Sequence, residues 1–463
     1  MPDHDAPLWS LTVTAASQRL AAREISPNDL VEAYLARIAE VDERVHSFIH
    51  VAAERARRAA RRANDELSAG RQTSLLAGIP FAVKDNYDVA GLPATAGSRL
   101  RLDNVPTKDA ALVRDLEAAG AVLMGKLGTW EYGTGNGGEY FDLPFPPARN
   151  PWDLERFTGG SSTGAGAGVA AGTIAFALGS DTTGSVRLPA AACGLAGMIM
   201  TPGRLSLDGI LPNCYSLDNP GPLTWTVEDL ALVLDVLARP QMSYCRAITR
   251  PISQMRIGVM RGPLGRFPAP DADMARAFED GTKILVRLGA RLIDIPLPMP
   301  VPDCFDVSRI IGPAESAAIH EPELRERPGD MGFALRDKLM AGSLVRAVDY
   351  IQAQRQRRLM ADAIDAVVRN FDAVVTYGPL HVAPRLGVEP EMTAFTVETC
   401  LTPFNLSAHP AMVQCTGFSS DGLPLSWQII VNRHDEVTAL TIGAAYERAT
   451  PWRDKRPQLR GRE

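Results

Sequence analysis

One stretch of the chain, residues 158–185, consists almost entirely of small residues: TGGSSTGAGAGVAAGTIAFALGSDTTGS. Its part from 164 to 180 carries no charge and has a glycine at every fourth position from 164 to 172. A membrane span needs about 20 strongly apolar residues, and this part is shorter and diluted by glycine and alanine. Because glycine lets two backbones approach closely, the sequence predicts a helix pressed against a sheet, and no membrane segment.

Short apolar runs alternate with helical patterns on both sides of this stretch. Helices are predicted before residue 70, from 110 to 119 and from 271 to 288, and Ser26-Pro27 is a typical helix start. Strands that are apolar throughout indicate a sheet covered on both faces. The sequence therefore predicts an α/β fold. The clearest strand patterns lie at 79–83, 121–124, 255–260, 291–295, 371–376 and 425–431.

Composition excludes several classes of function. The 463 residues include 48 basic and 54 acidic side chains, a formal net charge of −6, whereas nucleic-acid binding needs a concentrated basic surface. The basic run at 55–62 is flanked by acidic residues, which favours a solvated helix face. The first residues lack a secretory signal and the six cysteines form no CxxC pair, so we expect a cytoplasmic protein with reduced thiols. No metal-ligand spacing is present, and we expect no metal and no cofactor.

Two known motifs, a phosphate-binding loop and a nucleophile elbow, can be compared with the small-residue stretch. A phosphate-binding P-loop requires a lysine that is absent here. A GxSxG elbow is formally present at 160–164 and would make Ser162 the nucleophile of an α/β-hydrolase. That elbow needs a strand directly before it, whereas 149–157 is polar and contains Pro151. The elbow therefore remains an alternative hypothesis.

Lys84 is a third candidate, because lysine is scarce in this chain. Only six of the 48 basic residues are lysines, and arginine stays protonated and cannot act as a base. Lys84 ends the apolar run 79–83, where burial would favour the neutral amine. A base at pH 7 needs a pKa about three units below normal, roughly 4 kcal/mol of differential environment. Taken alone, the residue favours the simpler interpretation, an ion pair with Asp85 or Asp88.

Three separated motifs occur along the chain: GIPFAVKD at 78–85, GGSS at 159–162 and DTTGSVR at 181–187. Together, and in this order, they resemble the motifs of the amidase-signature hydrolases. Agreement is strongest over residues 76–235 and weaker over 403–428. The resemblance implies a mixed central sheet with helices on both faces and a single domain over 1–463. Within it we expect an N-terminal helical region at 1–70, a catalytic core at 71–235, and the rest of the sheet and substrate pocket at 236–463.

The resemblance also implies a Ser–cis-Ser–Lys triad. The family's spacing of its two serines makes Ser185 the nucleophile and Ser161 the cis-serine, and Lys84 is then the base. Thr183 stands where the family most often has glycine, while Asp181 and Arg187 are interpreted as a buried pair that braces the turn. The backbone amides expected to face a developing oxyanion are those of Thr182, Thr183, Gly184 and Ser185.

The substrate is the least constrained part of this interpretation. In the family, the segment after residue 130 contributes to the substrate cleft, and its aromatic residues suggest an apolar or aryl substrate; alternatively, they only pack the loop. No anion-binding arginine is obvious, which favours a neutral amide or carbamate. The candidate pocket residues are Trp130, Tyr132, Gly133, Tyr140 and Phe141.

Four alternatives stay open beside amide hydrolysis through this triad. The same three residues serve a carbamate (urethane) hydrolase or an esterase, and the glutaminase subunit of a tRNA-dependent amidotransferase shares these motifs. The Ser162 elbow and a non-catalytic binding protein are the others. The expected partners are a small-molecule amide or carbamate and, compatible with the resemblance, a second copy of the chain as a homodimer.

Overall fold

The computed structural model describes residues 6–71, 74–135, 142–240, 242–262 and 264–459. Within them, eleven strands form one sheet in the order β1-β3-β2-β4-β6-β5-β10-β11-β9-β7-β8. The strands are β1 (Phe48–Val51), β2 (Pro80–Lys84), β3 (Val122–Leu127), β4 (Phe176–Asp181), β5 (Ala196–Ile199), β6 (Asn219–Thr224), β7 (Arg256–Met260), β8 (Arg291–Asp294), β9 (Ala373–Tyr377), β10 (Ala411–Phe418) and β11 (Pro424–Ile430).

Helices occupy most of the connections between the strands, but not those from β5 to β6 and from β10 to β11. The α-helices of the described residues are α1 (Val13–Ala21), α2 (Pro27–Val45), α3 (Ala53–Ser68), α4 (Ala111–Ala118), α5 (Thr163–Ala171), α6 (Arg187–Cys193), α7 (Val227–Leu237), α8 (Tyr244–Ala247), α9 (Ala272–Arg287), α10 (Val301–Glu326), α11 (Phe333–Ser343), α12 (Ala347–Val368), α13 (Glu389–Val397), α14 (Thr402–Leu406) and α15 (Glu436–Arg448). None of these helices is both long and apolar enough to traverse a lipid bilayer.

The sheet is mixed, as predicted. Strand β2 runs parallel to β3 and β4, and β7 runs parallel to β8 and β9, while the remaining pairs are antiparallel. Every residue of the central strands β6 and β5 is buried, and so is every residue of β2 and β11. Since successive side chains of a strand point to opposite faces, this complete burial means that the centre of the sheet is covered on both sides. The predicted α/β fold class is confirmed.

The N-terminal helices include the basic run at 55–62. Its alanines lie on the buried face of α3, whereas Arg57 forms ion pairs with Glu32 and Glu54. Helix α2 begins with a capping box in which the Ser26 and Asp29 side chains bind each other's backbone amides. The basic residues thus lie on a helix surface that faces solvent and acidic partners, in agreement with the sequence interpretation.

The small-residue stretch forms α5 followed by β4, with every residue of α5 buried. A β-carbon on Gly164 would lie 2.2 Å from the Ser47 carbonyl oxygen and 2.3 Å from the Gly128 amide. The helix therefore contacts its neighbours through bare backbone, which no residue with a side chain allows. This close packing explains why the segment tolerates so few large residues.

The parallel pairing of β2 with β4 brings the three predicted motifs together. Val83 is in register with Leu178, so the two strands end side by side at Lys84 and Asp181. Helix α5 begins directly after the serine pair 161–162, and α6 begins directly after the turn 182–186. The carboxyl ends of parallel strands are the usual place for a site in an α/β sheet.

Candidate active site

Lys84 is buried at the end of β2 and contacts two serines. Its side-chain nitrogen Nζ lies 2.7 Å from Ser161 Oγ and 3.0 Å from Ser180 Oγ, and the residue is 1% exposed. No described carboxylate forms an ion pair with it. The Asp85 carboxylate instead pairs with Lys126 at 2.8 Å. The simpler interpretation of Lys84, an ion pair with Asp85, is therefore wrong.

Burial makes Lys84 a feasible base. It lowers the pKa of the amine from 10.5 to about 7, although the nearby charges of Asp218 and Asp181 act in the opposite direction. This difference corresponds to roughly 5 kcal/mol against the charged form. A substantial fraction of the amine is therefore neutral near pH 7, beside a hydroxyl from which it can accept a proton.

The two predicted serines lie next to each other in the fold. The peptide bond between Gly160 and Ser161 is cis, and Ser161 is buried. The Ser162 amide donates a hydrogen bond to the Ser185 carbonyl at 3.2 Å, which brings the two segments together. Among the described residues no hydrogen bond joins Ser161 Oγ to Ser185 Oγ. A continuous relay therefore requires the half-buried Ser185 side chain to turn towards Ser161.

Asp181 and Arg187 brace the turn around Ser185. The buried guanidinium of Arg187 donates to both carboxylate oxygens of Asp181 at 3.1 Å, and it also binds Asn405. Burial opposes ionisation of Asp181, but the positive charge of Arg187 and its hydrogen bonds hold the pKa of this carboxyl below its ordinary value. The interpretation of the two residues as a buried bracing pair agrees with this geometry.

We expect Arg187→Met to lower the free energy of unfolding by about 3–5 kcal/mol, because it leaves the Asp181 carboxylate buried without its counter-charge. Urea unfolding followed by circular dichroism measures this. Arg266→Met is the matched control, since its partner Asp306 is exposed and an exposed pair is worth about 1 kcal/mol or less. Equal effects of the two substitutions would contradict the bracing role.

The turn offers fewer free amides than the sequence predicted. The Gly184 N–H donates to Asp181 Oδ1 at 2.7 Å, so it is already engaged in the bracing network. The Gly184 amide is therefore not free in this structure, and its role as an oxyanion donor stays a prediction. Among the described residues, no acceptor binds the amides of the three remaining candidates, and free N–H groups of this kind can stabilise an oxyanion. These three are Thr182, Thr183 and Ser185.

The alternative nucleophile Ser162 lies in a different environment. It is fully buried, and its hydroxyl donates to the Ser180 carbonyl at 3.3 Å. No described histidine contacts it, and residues 149–157 contain no strand. The structure therefore supplies neither the base nor the preceding strand that a GxSxG elbow needs.

A cavity of about 510 Å³ opens beside Ser185. Trp130 and Gly133 line it, as predicted, and the Trp130 ring covers Gly160, where a β-carbon would lie 2.2 Å from the ring. Tyr132 instead lines a smaller cavity of about 110 Å³ next to Ser161. The other two predicted pocket residues, Tyr140 and Phe141, lie outside the described residues.

Two basic residues that the sequence analysis missed also line the larger cavity: Lys338 on α11 and Arg309 on α10. Lys338 Nζ donates to the side chains of Asn213 and Thr134, and no described carboxylate forms an ion pair with it. Burial lowers the pKa of Lys338 to about 8; the charge of Asp218 opposes this shift, and the charge of Arg309 adds to it. No anion-binding arginine was obvious in the sequence, whereas the structure brings Arg309 to the wall of the cavity. The scarcity of lysine would have pointed to Lys338.

The remaining wall of this cavity is largely apolar. It combines aromatic and aliphatic side chains from distant parts of the chain, which suits a substrate with an apolar body. These side chains are Leu188, Phe305, Ile310, Phe333, Val345, Val397 and Leu401.

Comparison with known proteins gives one consistent result. The family model described as Amidase matches residues 29–440. A glutamyl-tRNA(Gln) amidotransferase subunit from Chloroflexus aggregans is 36% identical, over 98% of this chain and 99% of that protein. A solved structure from a vestigial complex that reveals the origins of an s-triazine catabolic enzyme is 30% identical, with a TM-score of 0.88 over 95% of this chain and 98% of its own. A 6-aminohexanoate cyclic dimer hydrolase complexed with substrate is 28% identical, with a TM-score of 0.87 over 98% and 99%.

Proposed function

The chain belongs to the amidase family, and on this basis we propose that it hydrolyses the carbon–nitrogen bond of a small-molecule amide through an acyl-enzyme on Ser185. One observation carries the proposal. A buried lysine without a carboxylate partner among the described residues lies 2.7 Å from Ser161, and the Ser161 segment is hydrogen-bonded to that of Ser185. A lysine with a lowered pKa beside a serine is a recognised way to activate a hydroxyl nucleophile.

In the proposed mechanism Ser185 Oγ attacks the amide carbon while its proton passes to Ser161, and the proton of Ser161 passes to the neutral amine of Lys84. The negative charge that develops on the substrate oxygen is stabilised by the free amides of the turn. The proton then returns through Ser161 to the leaving nitrogen, and the carbon–nitrogen bond breaks. A water molecule, activated along the same path, hydrolyses the ester on Ser185 and releases the acid.

The cavity supports a substrate that is mainly apolar or aryl but carries a hydrogen-bond acceptor. Much of its wall is apolar, Lys338 and Arg309 are basic residues on it, and Asp337 is an acidic one. No described carboxylate lies within ion-pair distance of Lys338, although the charge of Asp218 acts on it. A carbonyl or carboxylate of the substrate placed there could accept a further hydrogen bond from Lys338, beside those to Asn213 and Thr134. Carbamates and esters present the same carbonyl to Ser185, so a panel of matched amides, anilides, carbamates and esters decides the preferred bond.

We expect Lys338→Met to raise KM roughly 10- to 100-fold for an anilide that bears a carboxylate, because a charge-assisted hydrogen bond contributes about 1.5–3 kcal/mol. The uncharged anilide of the same shape should keep its KM within about twofold. Steady-state kinetics on the two substrates measures the difference. Equal changes for both substrates would show that Lys338 supports the pocket without binding the acceptor.

A second candidate function is that of a glutaminase within an amidotransferase. The observation that favours it is the 36% identity with a protein of such an enzyme along nearly the whole of both chains. The purified chain separates the two candidates: hydrolysis of anilides without any partner supports the amidase, whereas release of ammonia from glutamine only in the presence of partner proteins supports the glutaminase.

A further inference from the structure

Glu131 is a buried carboxylate outside the proposed triad. It is 2% exposed and forms no ion pair with a described residue. Its Oε1 accepts a hydrogen bond from Ser98 Oγ at 2.5 Å, and its Oε2 accepts one from the Gly332 amide at 2.8 Å. Gly332 is the residue that immediately precedes α11. A carboxylate from a distant segment therefore caps the start of this helix.

A second carboxylate binds the next amide. Asp142 Oδ2 accepts from the Phe333 amide at 2.6 Å, and α11 has no side-chain cap from its own N-cap residue. The first amides of a helix lack partners within the helix, and the negative charge of the exposed Asp142 is favourable at that end. The start of α11 is thus held from outside by Glu131 and Asp142.

The turn that contains Glu131 is also attached to the serine relay. The Trp130 amide donates to the Ser161 carbonyl at 3.1 Å, and the Trp130 ring lies on Gly160. Through the Gly332 amide, Glu131 is also connected to α11, which carries Lys338 on the wall of the larger cavity. Ser161 and the basic side of the cavity are therefore joined through Trp130, Glu131 and the start of α11.

We propose that Glu131, assisted by Asp142, is a positioning residue that fixes the α11 wall of the cavity relative to the Ser161 turn. Its role in catalysis rests on the proposed hydrolase function, whereas its role in holding α11 does not. Removal of the Glu131 carboxylate would leave the Gly332 amide without an acceptor in a buried position, which is costly. The helix and its Lys338 side chain would then lose a defined position.

The ionisation of Glu131 gives the contact a pH dependence of known sign. Burial raises the pKa of Glu131 to about 7; the charge of Asp142 also raises it, while the Ser98 and Gly332 hydrogen bonds and the charge of Arg99 lower it. The neighbouring phenol of Tyr132, bound to Glu323 of α10, also faces this region. Detachment of α11 would hydrate the carboxyl and return its pKa towards 4.5. Attachment of α11 is therefore favoured when Glu131 is neutral. The free energy of attachment becomes less favourable as the pH rises from 4.5 to about 7.

Hydrogen exchange at residues 332–338, corrected for intrinsic rates at pH 6 and pH 8, tests the proposal. We expect exchange at least tenfold faster in Glu131→Ala at both pH values. Glu131→Gln, which imitates the neutral carboxyl, should keep the protection and lose the difference between the two pH values. Asp330→Asn is the matched control, because this carboxylate lies just before α11 but pairs with Arg327. Unchanged exchange in Glu131→Ala, or failure of Gln to restore protection, overturns the proposal.

Kinetics give a second readout of the same variants. We expect a several-fold rise in KM for a carboxylate-bearing anilide in Glu131→Ala, with restoration in Glu131→Gln and little change in labelling of Ser185 by a small fluorophosphonate. If Glu131→Ala does not fold, the exposed Asp142→Asn replaces it, and faster exchange at Phe333 is expected. An absence of hydrolysis and labelling in the wild-type chain would refute the proposed function. Hydrogen exchange at residues 332–338 would still test whether Glu131 holds α11 in place.

Discussion

Ser185→Ala is expected to abolish hydrolysis and covalent labelling by a fluorophosphonate. The substitution removes the proposed nucleophile, and loss of a nucleophile typically costs about 10³- to 10⁶-fold in rate. Because Ser185 is only half-buried and its side chain is small, the melting temperature should change little. Intact-protein mass spectrometry detects the missing adduct, and an anilide assay measures the rate.

Ser162→Ala is the matched control, since it removes the same hydroxyl from a neighbouring serine whose only described acceptor is the Ser180 carbonyl. This variant should still be labelled and should keep substantial activity. Loss of labelling in Ser162→Ala together with retention in Ser185→Ala would reverse the assignment and restore the GxSxG hypothesis.

Lys84→Met should lower kcat/KM by about 10²- to 10⁴-fold, the usual contribution of a general base, without unfolding the protein. In the wild-type chain, kcat/KM should fall as pH decreases through about 7, because the amine must be neutral to accept a proton. A residual rate in the variant without this pH dependence would fit the base role. Near-normal activity would remove Lys84 from the mechanism.

The same substitution has a stability signature. The pKa of Lys84 is about 7 in the folded protein against 10.5 for an ordinary lysine, so between these values the unfolded chain binds more protons. The contribution of Lys84 to stability should therefore rise with pH from 7 to 10.5, by roughly 5 kcal/mol at most, and Lys84→Met should remove this part of the pH dependence. Lys126→Met is the contrasting variant. It leaves the buried Asp85 carboxylate without its counter-charge and should destabilise the fold by about 3–5 kcal/mol.

Strands with continuous apolar sequence were predictable, and β6 shows why others were not. Its sequence, Asn219–Thr224, contains two prolines and a glycine, which argue against a central strand. In the structure it pairs with β4 through all six of its residues, and Pro220 and Pro222 lie opposite Ser180 and Leu178. This segment is a strand because it pairs with β4 and β5 in the folded protein. The local sequence gives no sign of those pairings.

The predicted triad residues all come from short motifs, whereas the rest of the site comes from distant helices. Lys338 and Arg309 lie on α11 and α10, and α10 contains Pro313, Pro322 and a kink at His320 that obscure its helical period. Arg309 is also one of many arginines, so its type alone carries no signal. The part of the cavity wall that α10 and α11 form could therefore not be predicted from the sequence.

The indole of Trp130 fills the volume into which any side chain at position 160 would project. Position 160 is therefore open to substitution only if the indole is trimmed at the same time. A mutant library that varies residue 160 alone would yield few folded members, whereas paired changes at 130 and 160 would reshape the floor of the cleft. Efforts to alter substrate scope should treat these two positions as one unit.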